Sequence, residues 1–440
     1  MGKDKIRGIL DEALKEIQPD KRYEIEIFEK LNEIIKKINL NQRSIKAVLG
    51  GSGAKGTWLK TFDADIFVLF GYAKYKDKSD ELSNILEKIL KKKFRNIIRL
   101  HGSRDYFQIK ENKFTFEIVP ILSIRKAEQA KNITDVSPLH SKWVLKSAKI
   151  KDFRDTKNSK SFLVHKKLVN EMKLTKQFCQ AQNLYGAESY IRGFSGYICE
   201  ILTVYYGSFL NLIRNAAKWQ DKIVIDAERY YKGKDVFKLV NTSKLVSPLI
   251  IIDPVQKDRN AAAALSQEKF DLFKKAAKDF LRSPSKEFFI RKDTRTIFKN
   301  LKNRSNILIE ISALPLSGKA DVVGNKLLKI YEFLLQKLQK HGFKLLKSDW
   351  AWDRKANPAF YFLIGKAPLS KTVIIEGPPL SIKQHVEHFR KMHKKTYSKN
   401  HKVYAIEKRE YAKPEGLLKQ MIKDEFVKDR IRKIRIRIIN

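Results

Sequence analysis

The chain reads as an α+β protein, and three observations predict it. Short runs with two-residue alternation, Asp63 to Phe70, Tyr106 to Lys110 and Phe114 to Val119, cluster in the first third. A strongly helical stretch follows from about Asp152 to Asn215. After a basic, aperiodic linker edge at Ser283 to Asn306, alternation returns on either side of one amphipathic helix, Val322 to Lys340. With 440 residues there is room for about three domains at the usual ~150 each, and 43% hydrophobic residues are enough to fill their cores. The pattern divides the chain into four stretches: 1–148, 149–283, 284–376 and 377–440.

In the first stretch a helix ends before Gln18, Pro19 breaks it, and apolar spacing predicts a second from Lys21 to Ile38. Ser44 to Leu49 is the first strand. Gly50-Gly51-Ser52-Gly53 is a glycine turn leading into a short helical run to Trp58 and Leu59, and the strand Asp63 to Phe70 follows. A helix from about Ser79 to Lys93 and a strand pair turning at Glu111-Asn112-Lys113 complete an antiparallel-rich sheet. In the second stretch the helix carrying Lys176 runs to Tyr185-Gly186, and IRGFSGY opens a long apolar helix. An apolar strand stops at Asp253-Pro254, and Arg259-Asn260 precedes an alanine-rich helix start. The third stretch reads β-α-β-β, an order often used to grip RNA. Beyond Gly377-Pro378-Pro379, His385 to Lys402 reads as a basic, aromatic-punctuated helix, and the final RIRKIRIRIIN as a strand with one basic face.

Charge narrows the partner. With 91 Lys and Arg against 49 Asp and Glu, the net charge of +42 suits a large polyanion, although lysine enrichment also follows genome composition or growth temperature. Cys179 and Cys199 make no disulfide framework and no metal spacing, which fits a reducing cytoplasm. The N-terminus is a charged amphipathic helix rather than a signal peptide. The most apolar stretch, Phe194 to Leu210, is interrupted by Glu200 and reads as a buried helix, so no membrane partner is expected. His385, His388 and His393 lack a cysteine or carboxylate to complete a zinc site.

Chemistry concentrates at Leu49 to Phe70. On a strand Asp63 and Asp65 share one face, and two such carboxylates are best reconciled by a hard cation such as magnesium. Glycines at Gly51 and its neighbours, beside Ser52 and a helix opening, let the backbone approach an anion such as a triphosphate. Thr115, Glu117 and Val119 share a face of the later strand, and a carboxylate in so apolar a strand needs a partner. Arg192, between glycine-containing turns, has the reach for a phosphate; Tyr185 has a ring to stack on a nucleotide, or is core; Arg259 carries a planar fork of donors. Arg390, Lys394 and Lys395, with Arg435 and Arg437, offer cations to an RNA backbone.

Gly51-Ser52 followed by the DxD strand resembles the nucleotidyltransferase superfamily that includes DNA polymerase beta, poly(A) polymerases and tRNA CCA-adding enzymes. The fuller strings GSGAKGTWLKTFDADIFVLF, NITDVSPLHSKWV, RGFSGY and DPVQKDRN, spread over nearly the whole chain, resemble the archaeal, class I CCA-adding enzymes. The resemblance implies a polymerase-beta-like head, a helical central domain, a β-α-β-β body and an α/β tail that holds the elbow of tRNA. It implies that Asp63, Asp65 and Glu117 hold two magnesium ions, Glu117 standing where the family usually has aspartate. It also implies that Gly51, Ser52, Lys55, Ser137, His140, Lys176 and Tyr185 orient the triphosphate, and that Arg259 with its neighbour Asn260 reads the base of CTP or ATP. The expected partners are the tRNA acceptor arm and elbow with CTP and ATP, in a family that tends to dimerise. The rival readings are a poly(A) polymerase or oligoadenylate-type enzyme on the same head, and a catalytically weak tRNA-binding relative, for which Glu117 is the motive.

Overall fold

The computed structural model describes residues 3–40, 42–60, 64–111, 113–148, 166–354 and 356–439; Asp63 therefore lies outside the described residues. The chain forms two compact units, residues 1–291 and 292–440.

The first unit opens with helices α1 (Lys3–Ile17) and α2 (Lys21–Asn39). Asp20 caps α2, accepting from the Arg22 and Tyr23 N–H groups at 2.8 and 3.4 Å, and Ile27, Leu31, Ile34 and Ile38 fall on one buried stripe. Beneath them lies a five-stranded sheet: β1 (Ile45–Leu49), β2 (Ala64–Gly71), β3 (Ile97–Leu100), β4 (Tyr106–Glu111) and β5 (Phe114–Ser123), in the order β1-β2-β5-β4-β3. All neighbours are antiparallel except β2 beside β5. Alternation is obeyed on β5, where Phe114, Phe116 and Ile118 are buried and Thr115, Glu117 and Val119 are not. The helix after Gly50 is short, α3 (Gly51–Lys55), because Gly56 takes a left-handed φ of 67° and stops it. Helix α4 (Leu82–Lys91) covers the sheet, and α5 (Ser137–Ser147) leaves it. The start of α5 is fixed by the buried Asp135, which pairs with Arg104 and accepts from the Leu122, Lys131 and Asn132 N–H groups.

A second core joins α1 to α6 (Lys166–Ala181), α7 (Gly196–Tyr206), α8 (Phe209–Ala216) and α9 (Gln267–Arg282) around Phe178, Phe194, Phe209, Phe273 and Phe280. Helix α6 ends at Ala181, four residues before Tyr185, and Ser195 caps α7 through the Ile198 N–H. Strands β6 (Ile223–Asp226), β7 (Leu249–Asp253) and β8 (Gln256–Asn260) make a small sheet on this core. The expected alanine helix after Arg259 is corrected: Arg259 and Asn260 end a hairpin strand, and the next helix waits until Ser266 caps α9. Asn260 is the reason, since its Oδ1 accepts from the Ile251 and Ala262 N–H groups at 3.0 and 2.9 Å and holds the chain against β7.

In the second unit, α10 (Thr294–Leu301) precedes β9 (Asn306–Pro315), α11 (Ala320–Lys340), β10 (Leu345–Ala351) and β11 (Ala359–Gly365), the expected β-α-β-β order. The final strand, β15 (Ile431–Ile439), pairs antiparallel with β9, giving the sheet order β10-β11-β9-β15. Between them a separate sheet forms from β12 (Thr372–Pro379), β13 (Thr396–Lys399) and β14 (Lys402–Lys408). The expected basic helix over 385–402 is corrected. Helix α12 (Lys383–Met392) stops at His393, so Arg390 is helical, whereas Lys394 and Lys395 lead into β13. Asn400 and His401 both take positive φ, 45° and 59°, the turn that a two-residue hairpin demands. No described helix is long and apolar enough to cross a membrane.

Candidate active site

Asp65 and Glu117 are brought side by side by the parallel pairing of β2 and β5, which puts them in register and on one face of the sheet. Gly51 makes room for the first of them. It has a φ of 53°, and a Cβ built there would lie 1.6 Å from Asp65 Oδ2, so the carboxylate occupies the space that a side chain would need. The Gly50 N–H donates to the Asp65 carbonyl at 2.8 Å, locking glycine turn to strand. These two carboxylates are hard oxygen donors of the type that divalent cations select, and the Gly51 cradle fits the binding of such an ion. Asp63 lies outside the described residues, and among the described residues no three His, Cys, Asp or Glu side chains gather to hold an ion.

Behind the glycine turn, Lys55 and Lys176 converge on one carboxylate that the motifs did not single out. Glu200 on α7 is fully buried; Lys55 Nζ donates to its Oε2 and Lys176 Nζ to its Oε1, each at 2.7 Å. The Thr57 hydroxyl also donates to Oε1 at 2.7 Å, while Lys176 donates further to Thr57 Oγ1 at 2.8 Å and the Thr57 carbonyl at 3.3 Å. Burial works to raise the Glu200 pKa, but Lys176 and Lys55 overcome it and bring it down to about 2. Burial pushes the Lys176 ammonium below its ordinary value, with Glu200 opposing. Beside this cluster a Cβ at Gly196 would be 2.7 Å from the Tyr185 hydroxyl, so the hydroxyl takes the space that a side chain there would need. Burial pushes the Tyr185 phenol up, so it remains a protonated donor. Arg192, exposed and at a φ of 55°, donates through Nε to the Ser189 carbonyl at 3.3 Å.

A third group forms where β7 ends. Asp253 is 0% exposed, yet Arg259 Nη1 donates to its Oδ2, and the Tyr197 hydroxyl and the Val255 N–H donate to its Oδ1 at 3.2 and 3.0 Å. His140 brings its buried Nε2 to 3.3 Å from Oδ2 without a well-formed hydrogen bond, and its ring stacks on Tyr197 with centroids 4.1 Å apart. Burial pushes Asp253 up, but His140, Val255 and Arg259 together hold it below the ordinary aspartate value. Burial pushes the Tyr197 phenol up. Ser137, half-buried, opens the helix that carries His140. Asn260 places all four of its amide hydrogen bonds on the protein, its Nδ2 donating to the Lys244 carbonyl and Ser247 Oγ at 2.9 and 3.0 Å.

Glu200, Thr57, Asp253 and Tyr197 thus join these groups of side chains, although the sequence reading assigned them no role. Glu200 carried a readable signal, a carboxylate inside the apolar run of α7. Asp253 opens the DPVQKDRN string, but its distant partners His140 and Tyr197, unlike Val255 and Arg259 nearby, could not be read from the sequence. In the second unit Arg390, Lys394, Lys395, Arg435 and Arg437 are all exposed, the last two alternating along β15 with half-buried isoleucines. His393 is taken by Glu407, 2.5 Å away.

Three family descriptions match the chain: a nucleotidyltransferase domain at residues 28–140, the second domain of tRNA nucleotidyltransferase at 170–290, and the C-terminal domain of CCA-adding enzyme at 319–434. The CCA-adding enzyme of Methanocaldococcus jannaschii is 32% identical over 436 residues, 95% of this chain and 91% of its own. That of Nanoarchaeum equitans is 35% identical over 332 residues, 75% of this chain and 76% of its own. Among solved structures, Cid1, described for its RNA terminal uridylyl transferase activity, is similar with a TM-score of 0.50 at 13% identity, over 66% of this chain and 99% of that one, a likeness of fold alone. Matches in all three parts of the chain, and identity sustained over nearly the full length of an archaeal relative, agree with a polymerase-beta-like head that sets carboxylates against a glycine turn: the chain belongs to the family of archaeal CCA-adding enzymes, the tRNA nucleotidyltransferases.

Proposed function

We propose that the protein adds C, C and A in turn to the 3′ end of tRNA. The terminal 3′ oxygen bonds to the α-phosphorus of CTP, twice, and then of ATP, and the bond to the β-phosphate oxygen breaks to release pyrophosphate. The observation that carries the reading is the Gly51 cradle, which seats Asp65 beside Glu117. We assign the third carboxylate to Asp63 and two magnesium ions to the set. When bound, such ions lower the pKa of the attacking hydroxyl and neutralise charge on the departing pyrophosphate.

The chain's own residues then do the positioning. Gly51 and Ser52 let the triphosphate approach the backbone, Ser137 and the protonated Tyr185 donate hydrogen bonds to phosphate or sugar, and His140 and Arg259 face the nucleotide, Arg259 at its base. Lys55 and Lys176 act from behind: with Glu200 they leave one buried excess positive charge near the glycine turn, which favours an anionic ligand. Asn260 holds Arg259 in its strand rather than touching the base. Residues 1–148 serve as catalytic head, 149–283 as nucleotide-recognition domain and 284–376 as body, which β15 from the end of the 377–440 stretch completes; Arg390, Lys394 and Lys395 of the tail, Arg435 and Arg437 on the body sheet and Arg192 in the recognition domain meet RNA backbone. The protein works in the cytoplasm.

The test is incorporation of labelled CTP and ATP into a tRNA transcript ending at the discriminator base, with magnesium and with chelator. Ordered addition of C, C and A that stops on chelation is expected. Addition of A alone would point to a poly(A)-type enzyme, and tight tRNA binding without incorporation to a relative disabled at Glu117.

A further inference from the structure

Asp253, like Glu200, is fully buried, where nothing a ligand brings can reach it. A carboxylate this deeply buried is costly unless it is paired and hydrogen-bonded, and here four groups answer it from three places: helix α5, helix α7 and the β7–β8 hairpin. In the hairpin backbone it braces the turn, through the Val255 N–H, while Asn260 ties β8 to β7 and to the loop before it. Asp253 also holds the orientation of two side chains. Arg259 is 32% exposed; with Nη1 of its guanidinium held on Asp253, the position of the group is restrained while other donors of the fork stay open. His140 is 16% exposed although its Nε2 is buried against Asp253, so its accessible part is the rest of the ring, steadied by the stack on Tyr197.

We propose that Asp253 is a positioning residue for nucleotide selection: it touches no substrate, but its carboxylate holds Arg259 and His140 in one fixed arrangement, so that both meet the incoming nucleotide already oriented. Two donors fixed before binding discriminate between base edges better than two that must be ordered on binding, because the ordering cost falls equally on right and wrong nucleotides and blunts the difference between them. The inference rests on the reading that Arg259 and His140 face the nucleotide.

The experiment is a mutant cycle of Asp253→Asn and Arg259→Ala in the full-length protein. It reads kcat and KM for CTP and ATP, misincorporation of UTP and GTP, tRNA affinity and thermal unfolding. Asp253→Asn keeps the shape but removes the charge and turns an amide N–H towards Arg259. Its KM for CTP and ATP should rise 10- to 100-fold with a smaller fall in kcat, misincorporation should rise at least fivefold, and tRNA affinity should stay within twofold. Because Asp253 also holds His140, the double variant should fall between Arg259→Ala alone and the product of the two single penalties. Penalties that instead multiply, or an Asp253→Asn variant with wild-type KM and fidelity, overturn the proposal. Should Asp253→Asn fail to fold, Tyr197→Phe takes its place in the cycle. It removes one donor to the carboxylate and keeps the ring under His140, so a two- to fivefold rise in nucleotide KM supports the proposal and an unchanged KM and fidelity overturns it. A wild-type protein that adds no C, C and A would instead sink the underlying enzyme reading, which separates the two failures.

Discussion

At Gly51 a single methyl group is enough to test the candidate active site. A Cβ there would collide with Asp65 Oδ2 at 1.6 Å, on a backbone that already has positive φ. Gly51→Ala should therefore displace the carboxylate by about 1 Å and lower single-turnover incorporation by roughly 100-fold or more. The fold itself should survive, because the glycine lies at the surface end of the sheet and is only half-buried; circular dichroism checks that. Glu200 makes the opposite prediction, on stability. Its folded pKa of about 2 lies below the ordinary 4.5, so the stabilisation it contributes is complete above that ordinary value and is lost as pH falls towards 2. Glu200→Gln should cost about 3–5 kcal/mol at neutral pH, by leaving Lys55 and Lys176 buried without a counter-charge, and should flatten the acid limb of a plot of Tm against pH. The sequence displayed the pieces of this site unevenly. Gly51, Asp65 and Glu117 are legible because strand alternation and a glycine turn are local patterns. The destination of Lys55 and Lys176 is not, since which carboxylate a buried lysine finds is decided by how helices from distant parts of the chain meet.

Among the elements, the β7–β8 hairpin shows how one side chain can decide a fold. Asn260→Ala would strip partners from the buried Ile251 N–H and from Ala262, and should destabilise the protein by about 2–4 kcal/mol, read as a lower denaturation midpoint. Composition alone pointed to a helix at Ala261 to Ala264, because alanine favours one. The asparagine overrides that preference by offering the backbone a different set of partners. The same contest explains the stretch from His393 to Lys402. Its lysines suit a helix face, but the positive φ at Asn400 and His401 commits it to a hairpin, and without glycine at the turn the sequence gives little sign of it. Strands β2, β4 and β5 were legible because one face of each is fully buried and the other, Phe67 and Ile121 apart, is less so; the largely exposed, four-residue β3 was not, for want of that contrast.

For the molecule as a whole, the contacts divide the chain at residues 291 and 292, and the second unit has its own core of Ile309, Ile311, Leu327, Leu334, Phe360 and Phe362. A fragment of residues 292–440 should unfold in one cooperative thermal transition, and removing residues 431–439 from it should abolish that transition. The need for those nine residues follows from the pairing of β15 with β9, in which Ile436 lies opposite Ile311. During synthesis β9 leaves the ribosome roughly 120 residues before its partner, an interval of about 6–24 s at ordinary elongation rates, and for that time one edge of it has no neighbour. An open edge rich in isoleucine invites pairing between nascent chains. The arginines that alternate along β15 give it a positive charge that repels another copy of itself, so the strand that completes the sheet is also poorly suited to joining two unfinished molecules.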